Sequence, residues 1–245
     1  MELPILIAIA FVAGFISSIA GAGGLITVPA LLWFGIPPLP TLAVNKFQSI
    51  FGTLSSTLNY YRKGFIDFRR LRRGLVCALV GSVAGAQCVQ WLGNQQMELI
   101  IPWLLLLLAG YTLFTPRLSD EDAKPRLTPL QFDLIACTGL GFYGGFFGPG
   151  MGSLFALALI GLMGLNARSA TAHAKPLVLI SNASAALIFI GNGQLIWELA
   201  IGMAVAQAIG ARIGSNMVIS QGAKLVKPVL ILALLAVAVK MLLTS

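Results

Sequence analysis

Apolar residues fall in stretches of twenty or more, separated by short polar joints. A membrane-spanning helix needs about 20 mostly apolar residues, and 41–61, 74–93, 98–116, 168–191, 196–219 and 226–244 each meet that length. Two further stretches, Pro4–Gly35 and Leu130–Leu165, are too long for one helix and are interrupted by glycines. The interruptions read Ala20-Gly21-Ala22-Gly23-Gly24 and Phe147-Gly148-Pro149-Gly150-Met151-Gly152, and both predict broken helices.

The two breaks belong to an internal repeat. Residues 14–21 align with 141–148 at an offset of 127, Ala43-Val44-Asn45-Lys46 with Ala172-His173-Ala174-Lys175 at 129, and Gly85-Ala86-Gln87 with Gly210-Ala211-Arg212 at 125. The expected architecture is an all-α, polytopic helical bundle of about eight transmembrane elements, the first in each half broken. Its modules are 1–117 and 129–245, joined by a polar loop at 118–128.

Composition agrees. The chain is 58% hydrophobic, only 10% charged, and has a mean hydropathy of +0.90. A soluble domain carries roughly a quarter of its residues charged, so the excess apolar surface must face lipid. The first residues carry no basic n-region, and no cleavable signal is expected. The net charge of +8 sits in short loops, which argues against a nucleic-acid partner.

Lys and Arg collect in cytoplasmic loops. Arg62, Lys63, Arg69, Arg70, Arg72 and Arg73 therefore place the loop after 41–61 inside, and Arg117, Lys124 and Arg126 place the inter-half loop on the same side. If each broken stretch is a hairpin returning to its starting side, the halves are inverted. Arg168, Lys224 and Lys227 then lie inside and Gly191-Asn192-Gly193-Gln194 outside, with Lys240 as the misfit. If each broken stretch spans once, the halves are parallel. Inversion is the reading favoured.

Candidate chemistry gathers around the breaks. Non-helical backbone at membrane depth is tolerated where protein buries it or it lines a polar cavity. A helix restarting after a break presents N–H groups that attract anions, and paired broken helices in two halves point to a transporter binding site. Close packing of small residues is the alternative. The glycines concerned are Gly21, Gly23, Gly24, Gly148, Gly150 and Gly152. Asn45, Gln48, Ser49, Gly52, Ser55, Ser56 and Asn59 form a polar helical stripe, readable as the wall of a wet pathway or as interhelical hydrogen bonding. Lys46 and Lys175 occupy equivalent repeat positions, and a lysine inside the membrane is a functional candidate unless it snorkels to the interface. His173, the single histidine, could couple protons; Arg212 divides evenly between a functional and a snorkelling role.

All eight acidic residues sit in loops or near span ends, where a cation-driven exchanger would place one at the bilayer centre. An anionic substrate fits what remains. No nucleophile–base pair, metal cluster or P-loop is visible, so neither an enzyme nor a cofactor is expected. Cys77, Cys88 and Cys137 read as small packing residues.

Gly21-Ala22-Gly23-Gly24-Leu25-Ile26-Thr27-Val28-Pro29-Ala30-Leu31, followed by Ala43-Val44-Asn45-Lys46, resembles the signature of the TauE/SafE sulfite-exporter family. Gly148-Pro149-Gly150-Met151-Gly152-Ser153 with Ala172-His173-Ala174-Lys175 resembles its second half. The first motif departs slightly, in Ala22 and in a shorter glycine run. The resemblance implies a multi-pass transporter of a bacterial-type inner membrane, surrounded by lipid, for sulfite, thiosulfate or organosulfonates. The expected site is Gly21, Gly23, Gly24, Asn45, Lys46, Gln48, Ser49, Gly148, Gly150, Gly152, His173 and Lys175. An anion channel and a non-transporting membrane scaffold are the alternatives.

Overall fold

The computed structural model describes residues 2–113 and 121–221. The expected span at 226–244, with Lys224, Lys227 and Lys240, and the loop residues Arg117 to Asp120, lie outside the described residues. The described chain is a helical bundle: α1 (Glu2–Ala20), α2 (Gly24–Trp33), α3 (Pro38–Arg62), α4 (68–92), α5 (94–113), α6 (129–146), α7 (Met151–Met163), α8 (Ala167–Gly191) and α9 (Trp197–Gln221). Both expected breaks are present, between α1 and α2 and between α6 and α7. Gly93 alone, with φ 75° and ψ −178°, separates α4 from α5.

Local sequence explains the starts and stops. Pro38 opens α3, where its missing N–H costs nothing. Thr128 and Gln131 form a reciprocal capping box at the start of α6, and the Asn166 side chain accepts from the Ser169 N–H at 2.9 Å to cap α8. Within α6, Phe132–Cys137 winds as a π-helix.

Helix directions follow from the contacts. α3 and α4 form a hairpin around the basic loop, while at the other end the Leu39 N–H donates to Asn94 Oδ1 at 2.8 Å. α9 runs parallel to α3, since Gly52 lies against Gln207 and Asn59 Nδ2 donates to Ser215 Oγ at 2.8 Å. α1 runs parallel to α9, with Gly202 against Ile7 and Gly214 against Phe15. α6 follows α4, with Gly74 against Cys137 and Gly85 against Phe146. α1 and α6 therefore run in opposite directions. Small residues let these backbones approach closely, as in other membrane interfaces.

α2 folds back on α1, with Gly23 against Ala13 and Ser17. α7 returns toward the start of α6, where the Ala123 N–H donates to Gly164 O at 2.7 Å and Asp122 Oδ1 accepts from the Asn166 N–H at 2.7 Å. The inter-half loop thus straps the α7–α8 turn.

Among the described residues, exposed large apolar side chains are most frequent on α4, α5, α6 and α9; Trp91, Leu99 and Leu107 are 70–80% exposed. Inside the bundle, two apolar clusters are stacked. One gathers Leu25, Leu42, Phe147 and Phe189 toward the α2–α3 turn. The other gathers Tyr60, Leu71, Phe132 and Phe155 toward the basic loop. Between them, α3 and α8 contribute buried Asn45, Thr53, Ser181 and Asn182 to a polar layer at mid-depth.

Candidate functional site at the paired helix breaks

The two breaks meet in that polar layer. Gly21, at φ 74°, lies with its backbone directly against Gly152, so a Cβ on either would overlap the other's main chain. Gly24 packs in the same way on Pro149.

A break leaves the last carbonyls of one helix without intrahelical donors, and in a membrane each needs another partner. Lys46 Nζ, fully buried, donates to Gly144 O at 2.6 Å and Phe147 O at 3.2 Å at the end of α6. Lys175 Nζ, 2% exposed, donates to Ser17 O at 2.6 Å near the end of α1. Ser17 and Gly144 correspond under the offset of 127. Lys46 thus caps the broken helix α6, and Lys175 caps the broken helix α1. Ser153 Oγ donates to Ala20 O, Tyr60 Oη to Ser18 O at 3.3 Å, and Tyr143 Oη to Pro149 O. Both ammonium groups also lie at helix C-termini, where the macrodipole favours positive charge. Lys46 sits 5.6 Å from the centre of the Phe189 ring.

Around the breaks is a small cavity. Its walls include Ser17, Gly21 and Gly24 from the first break, Gly148, Gly150 and Gly152 from the second, Asn45, Ser49 and Thr53 from α3, and Asn182 from α8. Only about 20 Å³ of it is open to the centre of a water-sized sphere, which is room for a single water. Thr27 Oγ1 donates to Asn45 Oδ1 at 2.6 Å, fixing that amide in the wall. Lys46 Nζ lies just behind the wall at Gly148. No carboxylate is among the wall residues. A second small cavity, toward the basic loop, shares Gly21 and Gly152 with the first and is lined by Ser153, Ala156, Thr171 and Lys175.

Of the residues singled out in the sequence, Gly21, Gly24, Asn45, Ser49, Gly148, Gly150 and Gly152 line the central cavity, with Lys46 and Lys175 flanking it. Gly23 instead packs on α1. Gln48 is fully buried but lies outside the cavity wall, and its amide finds no protein partner among the described residues. His173 stands at the basic-loop end, with Nδ1 2.8 Å from Ser169 O and Nε2 3.5 Å from the Asp67 N–H. Ser17, Thr53 and Asn182 were missed. An asparagine in the middle of a membrane helix is itself a signal, and Asn182 sits at the repeat position of Thr53.

Opposed broken hairpins, a polar layer at mid-depth and a lipid-facing apolar jacket define a multi-pass α-helical membrane protein. The sequence model of the family described as Sulfite exporter TauE/SafE matches residues 6–241, and the chain belongs to that family. Similar proteins include a "Probable membrane transporter protein" of Haemophilus influenzae, 40% identical over 239 residues, covering 98% of this chain and 94% of the relative. "Probable membrane transporter protein YfcA" of Escherichia coli K12 is 41% identical over 243 residues, covering 99% and 90%. A more distant relative, "Probable membrane transporter protein YunE" of Bacillus subtilis, is 22% identical, covering 88% of each chain. No solved structure matches the fold.

Proposed function

We propose that this protein is a secondary transporter or facilitator that carries a small sulfur-containing oxyanion between two inverted halves, through the cavity where the helix breaks meet. The opposed directions of α1 and α6 support the inverted arrangement, and the family and the names of the relatives support transport. The observation that carries the substrate charge is the wall itself: the neutral polar side chains of Asn45, Ser49 and Asn182 beside the glycine backbone of both breaks, backed by two buried ammonium groups, with no carboxylate. With its Oδ1 held by Thr27, Asn45 has its amide N–H groups left to offer a ligand. Asn182 and Ser49 add further polar groups.

A pyramidal or tetrahedral oxyanion needs several convergent donors, which this wall supplies. It also needs more room than one water. The described state is therefore closed, and binding requires the halves to part. That favours alternating access over a standing pore. The Gly21–Gly152 contact, shared by the central and inner cavities, would be the point of parting on the cytoplasmic side.

Thermal unfolding of the detergent-purified protein tests the assignment, with sulfite, thiosulfate, sulfoacetate, sulfate and chloride compared at matched ionic strength. A ligand at a hundred times its Kd adds about 2.7 kcal/mol. One sulfur oxyanion is expected to raise Tm, and Asn45→Leu or Asn182→Leu to remove that rise. If chloride stabilises as well as the sulfur oxyanions, or if the asparagine variants keep the full response, the site assignment fails.

A further inference from the structure

Away from the central cavity, the basic-loop end of α4 and α6 carries a crevice of about 370 Å³, lined by Arg72, Arg73, Val76, Cys77, Leu130, Asp133 and Leu134. It opens sideways on the lipid-facing surface, where Val76, Leu130 and Leu134 are 49–62% exposed. The two guanidinium groups lie toward the basic loop with Leu130 at their level in the first turn of α6, and Val76 and Leu134 follow about one turn deeper. The π-helical segment Phe132–Cys137 forms one wall, presenting Leu134 and Ile135 outward while Asp133 turns in beside Gly74. Arg73 lies within electrostatic range of the Asp133 carboxylate, and Arg70 is paired with Asp67 at 3.4 Å. Among the described residues no carboxylate comes within salt-bridge distance of Arg72.

We propose that this crevice is a binding site for one anionic phospholipid of the inner leaflet, its phosphate on Arg72 and Arg73 and an acyl chain along Val76 and Leu134. Charge complementarity and the order of the lining select this occupant. Six basic residues lie between positions 62 and 73 against the single acid Asp67, so the rim faces the negatively charged leaflet with a large positive excess. A free phosphate would use the arginines but not the exposed apolar wall beneath them. A zwitterionic lipid would use the wall but not the excess charge. Arg73 balances Asp133, and Arg72 carries the unbalanced charge toward the headgroup. Because α4 and α6 belong to different halves, a lipid seated here would bind across their junction.

Native mass spectrometry of the full-length protein tests the site, with phosphatidylglycerol and phosphatidylcholine titrated separately. Phosphatidylglycerol is expected to bind at least tenfold more tightly. Arg72→Gln/Arg73→Gln should remove that preference, whereas Arg62→Gln/Lys63→Gln, on the same loop outside the crevice, should keep it. Val76→Asn/Leu134→Asn should weaken phosphatidylglycerol with both arginines intact. Equal affinity for the two lipids overturns the proposal. So does an equal loss in both cation variants, which would mark a diffuse basic surface, or full competition by glycerol phosphate, which would mark a site for the free anion. These readouts use no transport substrate and stand apart from the assignment of the central cavity.

Discussion

Replacing Gly21 by alanine is expected to abolish transport and to destabilise the protein by about 2–5 kcal/mol. Two costs add. The residue holds φ 74°, a left-handed conformation that costs a side-chain-bearing residue about 1–2 kcal/mol. Its new Cβ would also overlap the Gly152 and Ser153 backbone, and overpacking of this kind costs about 1–3 kcal/mol. Main chain cannot rotate out of the way as a side chain can, so the overlap is relieved only by moving the two breaks apart. Two other glycines separate the terms. Gly152→Ala brings the contact without a positive φ and should lose transport with an intermediate loss of stability. Gly35→Ala brings φ 77° into open space and should cost about 1–2 kcal/mol while leaving transport intact. Thermal unfolding and anion flux in proteoliposomes give both quantities. Wild-type flux in Gly152→Ala would mean that closure of this contact is not part of the cycle.

The same geometry shows why some of the site was legible in the sequence and some was not. The glycine breaks and the lysines were visible because the repeat places them at nearly constant offsets. The partners of the lysines were not, because Lys46 reaches Gly144 and Lys175 reaches Ser17, in the other half, and no local pattern encodes that crossing. Within α3, the stripe was read as one face. Residues four apart drift by only about 40° around a helix, whereas residues three apart diverge by about 60°. Asn45, Ser49 and Thr53 therefore stay on the cavity, and Gln48 turns away from it. His173 is two residues from Lys175, about 200° around α8, so adjacency in sequence put the two on different faces. The π-helical segment has no periodicity of its own to betray it.

Lys46→Met and Lys175→Met are expected to weaken anion binding alike but to differ in stability. Each ammonium lies behind the cavity wall rather than in it. At ~6 Å and an effective dielectric of about 20, a unit charge contributes roughly 3 kcal/mol to a bound anion, or about a hundredfold in Kd. Both variants relieve the cost of burying an ammonium by a similar amount, so the difference between them reads the caps. Lys46→Met strips the donor from two carbonyls, Gly144 O and Phe147 O. Lys175→Met strips it from Ser17 O, which still accepts the Gly21 N–H at 2.8 Å. A buried acceptor left without a partner costs about 1–3 kcal/mol. Lys46→Met should therefore be the less stable by about that amount. Unfolding midpoints of the ligand-free variants measure the caps, and ligand-induced shifts measure the charge. If the stability ranking holds while anion affinity is unchanged in both, the lysines serve the helix ends alone, and the neutral wall of Asn45, Ser49 and Asn182 holds the substrate unaided.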